Sequence, residues 1–205
     1  MDGDAFRDRL EREHAERLGA FDSPELLVAL ADGKPTPTPL LEAAANSEHA
    51  AQRTFEQWAE TEQDAAARDA FEDSAQQEHR HYQLVVDELS QDYEPADGGP
   101  LHAYLRGREE TIQRVATGMV GRSLVSLRTH ARLIEYFEGE RAALFVELRD
   151  ETEATLHTGL SLLDTICTGK NWERAEMAAS YVIRVAHEDY VDSLAAIEHK
   201  ESSES

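Results

Sequence analysis

The chain has 205 residues, enough for one domain with a buried core, and its 42 acidic against 20 basic side chains give a formal net charge of −22. That charge excludes nucleic acid and anionic membrane as partners, because both would be repelled. A single cysteine, Cys167, excludes an intrachain disulfide and any four-cysteine zinc or iron module.

Hydrophobic periodicity is helical almost throughout and no run alternates β-branched with polar residues, so the chain is predicted to be all-α. A first amphipathic helix is expected over about 3–18, and a short one from the start signal Asp22-Ser23-Pro24 to Gly33. The segment Lys34 to Pro39, with prolines at 35, 37 and 39, reads as a stiff linker ending in a capping threonine with Pro39 at the first helical position. A helix follows over about 39–62, with Leu41, Ala44, Glu48, Ala51, Phe55 and Trp58 on one side. Another covers about 65–90, with Phe71, Ala75, Glu78, His81, Val85 and Leu89 on its stripe.

The stretch Ser90 to Pro100 breaks the pattern, and a short helical piece near Leu101 to Leu105 ends at Gly107. Extended, this connection is long enough to run the length of a helix. Helices at about 109–137 and 141–167 are joined by the turn Glu138-Gly139-Glu140. A last helix runs from Trp172 to about Ile197, and the polar tail 201–205 is expected not to fold. Connections that read short, long, short belong to a ferritin-like four-helix bundle with one long crossover. The expected organisation is N-terminal helices and linker over 1–38, the bundle over 39–167, and a C-terminal accessory helix over 168–205.

The chemistry is expected where Glu78 and His81, three residues apart and so on one helix face, sit on an apolar stripe opposite Glu48 on the preceding helix. A carboxylate and an imidazole facing a core need a partner, because a buried unpaired charge is costly. In a dinuclear bundle site two helices each give a glutamate and two each give a Glu-x-x-His pair. Glu48, Glu78 and His81 supply one half of that set.

Ser47-Glu48-His49-Ala50-Ala51 with Phe55, and Gln77-Glu78-His79-Arg80-His81-Tyr82, resemble the first-helix and second-helix metal motifs of the rubrerythrin family within the ferritin-like superfamily. The resemblance spans about 39–167, is closest to the haloarchaeal type, and does not extend to the rubredoxin module. It implies iron, or manganese or another divalent ion, bound by Glu48, Glu78 and His81, and a peroxide-reducing or oxygen-activating oxidoreductase. The acid excess, with lysine confined to Lys34, Lys170 and Lys200, resembles proteins of extreme halophiles.

The second half departs from that pattern. Residues 111–134 contain no Asp or Glu, and the inward positions there read as Met119, Arg122 or Ser123, Ser126 and His130. On the next helix the stripe passes through Thr152 and Thr155, with Glu153 and His157 as off-stripe candidate ligands or as an i, i+4 surface pair. Arg122 could replace metal by bidentate hydrogen bonds to Glu48 or Glu78. The alternative to a metal enzyme is therefore a metal-free ferritin-like scaffold or interaction protein without activity. A homodimer is expected from the amphipathic terminal helices, no electron donor is identifiable, and a cytoplasmic location follows from the lack of a basic, apolar leader.

Overall fold

A computed structural model describes residues 1–89, 93–96 and 98–203. Among these there is no strand, and the chain is all-α: α1 Gly3–Glu13, α2 Ala15–Ala20, α3 Glu25–Leu30, α4 Pro37–Thr61, α5 Ala65–Asp87, α6 Pro100–Arg106, α7 Thr111–Arg114, a π-helical stretch Val115–Gly121, α8 Arg122–Tyr136, α9 Gly139–Ile166 and α10 Asn171–Ser203. No described helix is long and apolar enough to cross a membrane.

Three boundaries differ from expectation for local reasons. The first helix is interrupted at His14, which leaves the helical region at φ −110°, ψ 20°. The α4 helix begins one Thr-Pro pair early, with Thr36 at the N-cap position in extended backbone and Pro37 in its first turn. Pro39 is tolerated there as well, because the first turn of a helix has no use for the missing N–H groups. The last helix continues to Ser203, while residues 204 and 205 of the expected unfolded tail lie outside the described residues.

The register is read from named pairs. The corner between α4 and α5 is short, and Glu62 fills it: its carboxylate accepts from the backbone N–H of Gln63 at 2.9 Å and of Asp64 at 3.1 Å, the Thr111 hydroxyl at 2.8 Å and the Arg114 guanidinium at 3.0 Å. Asp64 caps α5 by accepting from the N–H of Ala67. On the way to α7 the chain climbs along α4: Tyr93 donates to the Glu42 carbonyl, the N–H of Ala96 to Asn46, and Gln57 to the Arg106 carbonyl. From residue 42 to 57 at 1.5 Å each, that is about 22 Å of helix. The expected crossover positions 90–92 and 97 lie outside the described residues.

The third helix then starts beside Glu62 and descends past Trp58, which lies against Gly118, to bring His130 to Glu48. The α9 helix returns along α5, pairing Arg141 with Glu88, Glu151 with His81, and Thr155 with Gln77. Each neighbour in this set of four is antiparallel to the next.

Two apolar clusters result. One holds Phe55, Trp58, Phe71, Leu124, Leu156 and Leu160, joined by Phe6 and Leu10 of α1 and by Trp172 and Val182 of α10. The other holds Leu40, Leu41, Val85, Leu133, Phe145 and Leu148. Between them, at the middle of all four helices, lies a layer of buried polar side chains.

Candidate metal centre

The polar layer contains Glu48 from α4, Glu78 and His81 from α5, Arg122 and His130 from α8, and Thr152 and Thr155 from α9, all buried. Glu48 lies on the same stripe as Leu41, Ala51 and Phe55, and helical packing of that stripe forces it inward. Glu78 and His81 are carried in by Phe71, Ala75 and Val85 in the same way.

The structure brings Glu48, Glu78 and His81 into one group whose donor atoms all lie within 4.8 Å of one another. His81 Nδ1 is 3.6 Å from Glu48 Oε2 and 3.8 Å from Glu78 Oε2. All three atoms are buried and lack a hydrogen-bond partner among the described residues. The opposite ring nitrogen, His81 Nε2, is 2.9 Å from Glu151 Oε2, which also takes the guanidinium of Arg80 at 3.1 Å. A carboxylate in that place accepts the Nε2–H and orients the ring, so that Nδ1 faces the two glutamates.

The remaining carboxylate oxygens face α8. Glu78 Oε1 lies 2.9 Å from Arg122 Nη1, and Glu48 Oε1 lies 3.4 Å from His130 Nε2. The bidentate fork expected of Arg122 is absent: neither Nε nor Nη1 has an aligned hydrogen bond, and Nη2 is 3.8 Å from Glu48 Oε2. It is held as a charge between two carboxyls, with the Phe55 ring 5.9 Å from its guanidinium carbon.

Proton affinities diverge within the layer. Burial pushes Glu78 up to about 8, and the Glu48 charge adds to that against the opposing pull of Arg122. Burial would raise Glu48 too, but the nearness of Glu78, His130 and His81 to its carboxylate overrules it and holds Glu48 well below the usual carboxylate range. Burial lowers the proton affinity of His81, yet the neighbouring carboxylates of Glu48, Glu78 and Glu151 raise it overall. With both Oε2 atoms turned to one point, the carboxyls tolerate each other only through a shared proton or a cation.

Glu153 and His157 do not join this group. Glu153 pairs with Arg7 at 2.6 Å, and His157 is exposed, 3.4 Å from Glu153. They form the surface pair that their spacing allows. Both Arg122 and Ser123 are buried, where the stripe pointed to one or the other. Glu151 was not singled out from the sequence, although it stands three residues after Leu148 and four before Thr155 and so flanks the buried stripe.

His102 of α6 is a further participant that the sequence did not indicate. Burial, with the Arg122 and Arg106 charges, drives it down to about 3, so its imidazole is neutral. With Glu48, Arg122, Ser126 and His130 it lines a cavity of about 110 Å³. That cavity shares Leu101, His102 and Val125 with a wider cleft of about 320 Å³ bordered by α3, α4, α6 and α10.

No protein-family model, curated protein or solved structure matches the chain.

Proposed function

We propose that this chain is a rubrerythrin-like, ferritin-like metal protein that holds iron, or a similar divalent ion, on Glu48, Glu78 and His81 and reduces peroxide or oxygen. The observation that carries the reading is the convergence of Glu48 Oε2, Glu78 Oε2 and His81 Nδ1, each buried and without a hydrogen-bond partner among the described residues. Bonds of 2.0–2.2 Å to one tetrahedral ion put neighbouring donors ~3.4 Å apart, a few tenths of an ångström closer than the two separations found. Two carboxylate oxygens and one imidazole form a hard, anionic donor set suited to iron or manganese. An ion there would supply Lewis acidity and electron transfer to a small oxygen ligand. The chain's own part is to hold the donors, orient the His81 ring through Glu151, and keep bulk water out.

The reaction class rests on the motif resemblance and on the small cavity beside Glu48, which has room for only a few non-hydrogen atoms. A second reading, a metal-free scaffold, is favoured by the contact of Arg122 with Glu78, which supplies a positive charge without any ion.

Metal analysis of protein purified without chelator separates the two. Bound iron or manganese is expected in the parent and in Glu188→Ala, a change on the solvent face of α10, and not in Glu78→Ala or His81→Ala. Equal retention in all variants would place the metal on the acidic surface instead. Metal-loaded parent is then expected to consume hydrogen peroxide when given a chemical reductant, and a loaded protein inert to both peroxide and oxygen would refute the redox assignment.

A further inference from the structure

The four oxygens of Glu48 and Glu78 are sorted by direction. Both Oε2 atoms turn toward His81, while Glu78 Oε1 turns to Arg122 and Glu48 Oε1 to His130. Two cation positions therefore border the pair, and Arg122 approaches both carboxylates, Nη1 at Glu78 Oε1 and Nη2 3.8 Å from Glu48 Oε2. The first is ringed by the three donors that make no hydrogen bond among the described residues. The second is filled by a side chain, for Arg122 Nη1 stands 2.9 Å from Glu78 Oε1 and the guanidinium is buried against Phe55.

We infer that Arg122 is a built-in second cation, so that the chain binds one metal ion where the paired carboxylates would otherwise bridge two. This deepens the metal reading above and rests on it. The helix sequence is consistent with the charge count. Residues 111–134 hold no Asp or Glu, so the third helix brings to the layer a positive charge instead of an anionic ligand. An arginine does not give up its proton in proteins, so the second position stays closed at every pH at which the chain folds. The lack of an aligned hydrogen bond at Nε and Nη1 fits a group placed for its charge.

The roles of filling a cation position and of merely bracing the glutamates predict opposite effects on metal affinity. Arg122 repels an ion only a few ångströms away and competes with it for Glu78, so its removal should tighten binding. A brace, once removed, should loosen it.

The test is a titration of the full-length chain with manganese(II), following free ion by electron paramagnetic resonance and folding by circular dichroism. The parent is expected to bind one ion. Arg122→Met should still bind one, about tenfold tighter or more, and should melt lower than the parent under chelator and recover on adding manganese. Arg122→Lys keeps the charge and is expected to bind one ion with affinity close to the parent's, which guards against misfolding of the methionine variant. Arg122→Glu, which adds a carboxylate beside Glu48, Glu78 and His130, is expected to bind two ions with an exchange-coupled spectrum. Two ions in the parent would overturn the inference while leaving the metal site standing. A folded Arg122→Met that binds more weakly would make Arg122 a brace and overturn it as well. A parent that binds no ion removes both this inference and the metal reading.

Discussion

Glu48 and Glu78 are the same side chain in the same layer, yet one keeps its charge and the other its proton. The difference is testable without metal. The Glu78 value of about 8 in the folded chain lies above its ordinary 4.5, so its contribution to stability is complete below about 4.5 and is lost as pH rises through 8. Under chelator, the parent is therefore expected to lose melting temperature between about pH 5 and pH 8 relative to Glu78→Gln. That variant keeps the neutral, hydrogen-bonding form and should be about as stable as the parent near pH 4.5 and more stable above it, although it binds no ion. Glu48→Gln removes an anion from beside Arg122 and His81 and is expected to cost roughly 3–5 kcal/mol, read by denaturant unfolding. At this scale the sequence was legible where spacing alone decides: Glu78 and His81 share a face because they are three apart. It was not legible for Glu151, whose role depends on how far α9 rotates about its axis, and that rotation is set by packing against α5.

Among the elements, the third helix of the bundle departs most from regularity. Its π-helical stretch, Val115–Gly121, is wholly buried and runs into α8 with helical dihedrals at Gly121 and Arg122. Each π ring encloses one residue more than an α ring, so the stripe before the stretch and the stripe after it are out of phase. A periodicity read straight through residues 109–137 therefore left Arg122 and Ser123 as alternatives, whereas the structure buries both. The stretch also brings Gly118 onto Trp58. A Cβ at Gly118 would lie 2.5 Å from the Trp58 ring, so Gly118→Ala is expected to destabilise by about 1–3 kcal/mol. Gly19 in α2 has nothing within 4 Å, and Gly19→Ala should stabilise by about 0.5 kcal/mol. Thermal melts of the two variants check the pair, and a harmless Gly118→Ala would contradict the close packing of the third helix on α4. Element existence and order were legible from apolar stripes and from Gly and Pro breaks, apart from the split of the first helix at His14. The π geometry was not, since it arises from contacts with α4, α9 and α10 and not from local preference.

On the scale of the whole molecule, the terminal helices belong to the same core as the bundle. Phe6 of α1 packs on Trp172 of α10 with ring centroids 5.4 Å apart, Arg9 pairs with Glu176 at 2.9 Å, and the N–H of Gly3 donates to Asp164 at 2.7 Å. Phe6 is fully buried, so Phe6→Ala is expected to cost about 3–5 kcal/mol, measured by urea unfolding. If the loss were only a few tenths, α1 would be an appendage. The net charge of −22 spread over the surface adds self-repulsion that salt screens, and a melting temperature that rises from low to molar sodium chloride is the expected counterpart. The closure of α1 on α9 and α10 is also a statement about time. Gly3 and Asp164 are separated by 161 residues, and a ribosome adding ~5–20 residues per second needs ~8–30 s to cover that distance. For that interval Phe6 has been made and Trp172 has not, so α1 is among the last elements to find its place.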